Sequence, residues 1–143
     1  MIQDKNLLEK KMAQGYIPCF NGGCSRHEHC LHWQGSEFVD PKRLVVQCVN
    51  PMMDGADCTM YAHDEKVRMG LGFNNLLDQL PRTMSKALMD SVINTVNRTY
   101  AYEHRNGTRP TPPRLQQHIT DFCRQHGWQG PVEFDAYEDQ YDW

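Results

Sequence analysis

The chain has 143 residues and a mass of 16.7 kDa, enough for one domain that buries roughly two-thirds of its unfolded surface. Hydrophobic residues make up 39% and charged residues 23%, which fits neither a disordered chain nor a membrane-embedded one, and no apolar run approaches the roughly 18 residues of a spanning helix. The formal net charge of −3 argues against a general affinity for nucleic acid or anionic membranes.

In chain order, the opening residues MIQDKNLLEKKM lack the apolar stretch of a signal peptide, which sets the expectation of a cytosolic address. Residues 4–14 predict a short helix with Leu7, Leu8 and Met12 on one stripe and Gly15 as its stop. Pro18 and the pair Gly22-Gly23 exclude regular structure around Cys19 and Cys24, and Ser25 to Trp33 predict one or two helical turns. Leu44 to Val49 carries the strongest strand pattern, closed by Asn50-Pro51, and Cys58 to Ala62 offers a returning strand, so a short hairpin is expected here.

From Gly70 the pattern becomes helical. Phe73 to Leu80 predicts a short helix ended by Pro81, and residues 82–105 predict the longest one, with Met89, Ile93, Val96 and Tyr100 on one face and Gly107 as its stop. Thr111-Pro112-Pro113 predicts the start of another helix, with Leu115, Ile119 and Phe122 inward and Gly127 at its end. Trp128 is placed to fold back toward Cys123, and Val132, Phe134, Tyr137, Tyr141 and Trp143 include residues that should dock rather than stay in water. The expected architecture is α+β in a single domain over 1–143. A Cys/His-rich lobe over 1–66 holds the hairpin, and a helical lobe over 67–143, of two to three helices, ends in an acidic aromatic tail.

Five of the six cysteines fall within residues 19–58. A reducing cytosol disfavours disulfides and turns attention to metal ligation, against the alternative of simple buried thiols. Tetrahedral zinc wants four thiolate or imidazole ligands, two close in sequence and two brought in by the fold. Cys19 and Cys24 flank a glycine-rich turn, Cys30 follows one or two turns later, and Cys58 returns after the expected hairpin. The candidate ligands are therefore Cys19, Cys24, Cys30 and Cys58, with Cys48, His27, His29 or His32 as the substitute should one of them not ligate. The chain has no paired C-x2-C knuckles, and its cysteine spacing is looser than that of iron–sulfur proteins. Cys48 reads as a core thiol within the expected strand.

Catalytic patterns are sparse. Cys30 beside His29 and His32 suggests a nucleophile pair, and Cys24 or Cys30 could serve a thiol-based redox enzyme or sensor, but sequence adjacency does not supply the activating geometry. There is no G-x-S-x-G, H-E-x-x-H or phosphate loop, so no catalytic residue is assigned. Residues 82–127 carry seven basic and three acidic side chains, and residues 131–143 carry five acidic and none basic. Helices over 82–105 and 111–126 invite comparison with a helix-turn-helix reader, with Arg114, Gln116, Gln117, His118 and Arg124 facing out, but the connecting loop is long for that motif.

The order Cys19-Phe20, Cys24, Cys30-Leu31, Val49-Asn50-Pro51, Cys58, Thr111-Pro112-Pro113 and Tyr141-Asp142-Trp143 resembles a family of small uncharacterised bacterial proteins, a domain of unknown function in gut-associated Bacteroidales. The resemblance implies no activity. It implies that Cys24, Cys30 and Cys58 act together. The function expected is a non-enzymatic, zinc-stabilised module that binds another protein, with nucleic acid and membrane as disfavoured partners.

Overall fold

The structure is a computed structural model describing residues 1–143. It is an α+β fold with six helices and a two-stranded antiparallel sheet. The chain divides into two compact units, Met1–Glu65 with Tyr141–Trp143, and Lys66–Gln140.

The first unit contains α1 (Lys5–Ala13) and α2 (Leu31–Gly35), with short 3₁₀ turns at His27–His29, Ser36–Phe38 and Gly55–Asp57. Asp4 caps α1 by accepting from the Leu7 N–H at 3.0 Å, and Lys10 and Lys11 complement the negative end of the helix. Gly15, at φ +97°, turns the chain out of α1, a left-handed conformation that a side chain would oppose. The core of this unit is small: Ile2, Leu8, Leu31, Ala62 and Tyr141. Tyr16 stacks on His32 with ring centroids 4.3 Å apart and meets Trp143 edge-on at 5.3 Å.

The expected hairpin of residues 44–62 does not form. Leu44 to Val49 is extended but pairs with no other strand, and Leu44 and Val45 are exposed. β-branched composition favours a pleated, half-buried surface, but without a partner ladder there is nothing for it to pack on. Cys48 on this segment is half-buried, not the core thiol of a buried strand.

The second unit holds β1 (Lys66–Leu71), α3 (Asn74–Gln79), α4 (Arg82–Thr95), α5 (Arg98–Asn106) and α6 (Pro113–Gln125); the second strand, β2, is Ala136–Tyr141. The sheet thus joins two segments far apart in sequence, where the sequence reading had placed a local hairpin. The single helix expected over 82–105 breaks at Val96-Asn97, because Asn97 leaves the helical conformation and caps α5, accepting from the Tyr100 N–H at 2.8 Å. Two helices stand where one was expected, which brings this unit to four. α6 starts at Pro113, one residue after the expected position, while Thr111 is fully buried and exchanges backbone hydrogen bonds with Gly70 at 2.8 and 2.9 Å.

Leu88 and Val92 from α4, Ala101 from α5, and Leu115, Ile119 and Cys123 from α6 build one core with Phe73, Leu76, Leu80 and Phe134. Gly127, at φ +86°, ends α6, and the Trp128 N–H bonds back to the Cys123 carbonyl at 2.9 Å. Gly70 is required by close approach: a Cβ there would stand 2.5 Å from the ring of Phe134.

Candidate metal centre

Three segments of the first unit converge. Cys19 enters from an extended segment anchored on both sides, by its own N–H to the His32 carbonyl at 2.9 Å and by the Val49 N–H to the Pro18 carbonyl at 2.9 Å. The turn Asn21-Gly22-Gly23 then doubles back: the Asn21 side-chain oxygen accepts from Gly23 N–H at 3.2 Å, and the Cys24 N–H reaches the Asn21 carbonyl at 3.3 Å. Gly22 lies under Trp33, where a Cβ would be 3.3 Å from the indole.

Cys30 stands at the junction of a 3₁₀ turn and α2, held by an antiparallel bridge to His63 and by the Leu31 N–H to the Ala62 carbonyl at 2.8 Å. Cys58 follows the turn Gly55–Asp57, which Asp54 caps through the Ala56 N–H at 3.0 Å.

Cys19, Cys24, Cys30 and Cys58 all line one cavity of about 30 Å³, space for about one water molecule or ion. Asn21, His27, Trp33, Val49 and Tyr61 complete much of its wall. All six cysteines are free thiols, with no disulfide between them. Burial pushes the Cys19 thiol up; a hydrogen bond from the Asn21 backbone opposes this, and negative charge on Cys30, Cys58 and Cys24 raises it further. Such mutual repulsion is what a shared cation would relieve. No group of three or more His, Cys, Asp or Glu side chains is placed so that it could hold a metal ion as it stands.

The three histidines separate clearly. His27 lines the cavity; its Nδ1 lies 2.5 Å from the Cys24 carbonyl, which can only accept, so Nδ1 carries the hydrogen and Nε2 keeps its lone pair. His32 is buried with both nitrogens committed, Nδ1 donating to the Ile17 carbonyl at 2.5 Å and Nε2 accepting from the Tyr16 hydroxyl at 3.1 Å. Burial holds its pKa below the ordinary value, so the ring is neutral and part of the fold. His29 lies outside the cavity wall, exposed, with Nδ1 3.4 Å from Asp64 and its ring stacked on His63. Cys48 is likewise absent from the cavity wall. Of the substitute ligands, only His27 has the placement.

Two residues essential to this geometry carry no metal-ligand signature. Arg26 lies between Cys24 and Cys30 in sequence, and its guanidinium donates to the carbonyls of Gly55 and Cys58, the latter at 3.2 Å, while covering the Tyr61 ring at 4.2 Å. It ties the Cys58 loop to the Cys24 turn and places a positive charge beside the thiols. Gly55 is buried against Cys24, and a Cβ there would collide with the Cys24 sulfur.

A second polar cluster was also missed. The side chain of Asp64 is only 4% exposed and accepts from the Met1 ammonium at 2.6 Å and from Gln34 at 2.8 Å. Burial would raise this carboxyl, but the ammonium, Gln34 and His29 outweigh it and hold the pKa near about 2.

In the second unit, several of the side chains considered as nucleic-acid readers make hydrogen bonds within the chain. His118 Nε2 meets the Ser91 hydroxyl at 2.9 Å, Gln116 donates to the carbonyls of Arg68 and Thr111 at 2.8 Å each, and Arg124 donates to those of Trp128 and Gly130. No helix is long and apolar enough to cross a membrane.

The family model that matches the chain is described as a family of unknown function (DUF6078), and the match covers residues 1–143. No curated protein and no solved structure matches the chain.

Proposed function

The chain belongs to the DUF6078 family, of unknown function, and from its own residues we propose that it is a non-enzymatic bacterial protein of the cytosol whose first unit is fastened by one structural zinc ion and binds another protein. The observation that carries this reading is that Cys19 and Cys24 from one turn, Cys30 at the start of α2 and Cys58 from a third loop all line one cavity the size of an ion. Four thiolates in tetrahedral array are a closed, structural zinc site, and closure leaves no coordination position for a substrate. The Asn21 backbone N–H favours a Cys19 thiolate, but burial and the neighbouring cysteines outweigh it and push the thiol up, so ionisation there would have to come with the bound ion. Zinc would draw the four sulfurs inward from their present positions, while Arg26 offsets part of their negative charge and His27 stands by at the wall.

Protein binding is supported by surface composition. Phe20, Met52, Met53 and Met60 are exposed on the loops that carry the cysteines. Where such side chains adjoin, they mark an interaction surface.

Elemental analysis of protein purified without added metal tests the zinc reading. About one zinc per chain is expected, and the double variant Cys24→Ser/Cys58→Ser should lose it. Less than about 0.2 zinc per chain in the unsubstituted protein sinks the proposal.

A further inference from the structure

The exposed apolar side chains of the first unit fall into two chemically different groups. Leu44 and Val45 follow Lys42 and Arg43 on the unpaired extended segment. Phe20, Met52, Met53 and Met60 instead decorate the loops that carry the cysteines, and are 45%, 89%, 41% and 41% exposed. Phe20 follows Cys19, and Met60 comes two residues after Cys58. Met53 lines the cysteine cavity itself and is tied to the Cys19–Cys24 turn by the Asn21 side chain, which donates to the Met53 carbonyl at 3.2 Å.

Methionine is flexible and polarizable, and surfaces built from it repack around varied apolar anchors. The charged side chains on the Met52–Met60 loop itself have one sign. Residues 50–65 contain Asp54, Asp57, Asp64 and Glu65 and no lysine or arginine; all but Asp64 are exposed. Arg26, the one cation at the cavity, is directed at the Gly55 and Cys58 carbonyls and the Tyr61 ring. If the four thiolates hold zinc, the centre beneath adds a net charge of about −2. An apolar surface with an acidic rim complements a segment that is apolar on one face and positively charged on the other.

We infer that the loops bearing Phe20, Met52, Met53 and Met60 form the docking surface for a basic amphipathic segment of a partner protein. The inference deepens the protein-binding reading by naming the class of partner, and it rests on that reading. Apolar anchors enter among the methionines, while lysine or arginine side chains meet Asp54 and Asp57. The same rim disfavours nucleic acid and anionic lipid.

The test uses the full chain with its zinc content measured on the same preparation. The probe is a synthetic amphipathic helical peptide of leucine and lysine, followed by fluorescence anisotropy beside a leucine–glutamate counterpart. The basic peptide should bind in the micromolar range, weaken as salt is raised, and bind at least about tenfold tighter than the acidic one. Met52→Ser/Met53→Ser should weaken it by about tenfold or more, and Asp54→Asn/Asp57→Asn by about threefold or more with a flatter salt response. Asn at 54 keeps an oxygen for the turn, so the loop stays folded. Leu44→Ser/Val45→Ser should leave binding unchanged.

No binding by about 0.1 mM peptide, equal binding of both peptides, or indifference to the methionine changes overturns the inference. So does a homodimer in sedimentation that the methionine changes dissociate, because the surface would then belong to a second copy. Zinc at one per chain without peptide binding removes this inference and leaves the zinc centre intact. Selective peptide binding by folded, zinc-free protein supports the inference and removes only the zinc centre.

Discussion

Between Lys66 and Gln140, ten buried apolar side chains share one core; in the unit of Met1–Glu65 and Tyr141–Trp143, only five do. The first count belongs to four helices and their sheet, whose backbone groups pair within regular elements. The second belongs to loops, 3₁₀ turns and two short helices, with a fully exposed Leu44 and a nearly fully exposed Met52. Hydrophobic burial has to outweigh roughly 1–2 kcal/mol of backbone entropy per ordered residue, so a unit with half the core and more loop needs another source of stability. The four cysteines sit in the unit that lacks core, which is where a metal cross-link contributes most.

The sharpest way to break the comparison is to remove the proposed zinc. Structural zinc binding by four thiolates contributes on the order of 10 kcal/mol, more than a small core supplies. Chelation should therefore abolish amide-exchange protection at Leu31, Ala62 and the Cys30–His63 bridge, while Val92, Ala101 and Ile119 keep theirs. The mirror experiment is Phe73→Ala, which empties the centre of the other core and should cost about 3–5 kcal/mol in denaturant unfolding of that unit with zinc stoichiometry unchanged. Loss of both units together in either experiment would mean that the division is not energetic.

A smaller perturbation places one methyl group in each unit. Gly70→Ala drives a Cβ to 2.5 Å from the Phe134 ring, and Gly55→Ala drives one onto the Cys24 sulfur. Each should cost about 1–3 kcal/mol by overpacking, but the readouts differ. At Gly70 the loss appears as a lower unfolding midpoint with normal zinc content. At Gly55 it should appear as faster zinc release to a competing chelator, because the displaced atom is a proposed ligand. If Gly55→Ala leaves zinc release unchanged, Cys24 does not hold the ion.

How much of this was legible in the sequence follows the same division. In the second unit, Leu115 and Ile119 recur at helical spacing and Gly127 stops the helix, so α6 could be read to within a residue or two, although the third buried position is Cys123 and the expected Phe122 is only partly covered. The break at Asn97 could not, because the apolar stripe runs through it and only the capping bond reveals it. β1 does alternate Val67, Met69 and Leu71 with Lys66 and Arg68, but its partner lies across more than sixty residues of intervening chain, and that partner, Ala136–Tyr141, is mostly polar, so no local pairing announces the sheet. Residues 44–49 failed in the opposite direction, carrying strand composition without a partner. In the first unit, loop spacing was enough to group the four cysteines that line one cavity. Arg26 and Gly55 could not be read this way, since their partners are backbone carbonyls and a sulfur contact that no residue pattern announces.

The smallest effect sharpens the comparison through pH. Each unit buries one histidine, His32 in the first and His104 in the second. Burial lowers the pKa of His104, the Arg109 guanidinium lowers it further, and its Nδ1 faces the Thr111 hydroxyl at 3.1 Å. Below the ordinary histidine value of about 6.5 the unfolded chain binds a proton that the folded ring refuses, so stability falls with pH until the folded ring also titrates. For the second unit this histidine contributes at most one proton, a slope of no more than about 1.4 kcal/mol per pH unit, and His104→Gln should flatten it. The first unit meets the same demand at His32 and, if the proposed zinc is bound, must in addition protonate several thiolates as it leaves. Denaturation followed from pH 7 to pH 5 should therefore show the first unit losing stability several times more steeply than the second. Equal slopes would mean that histidine burial alone governs both units and that no set of metal-bound thiolates holds the first.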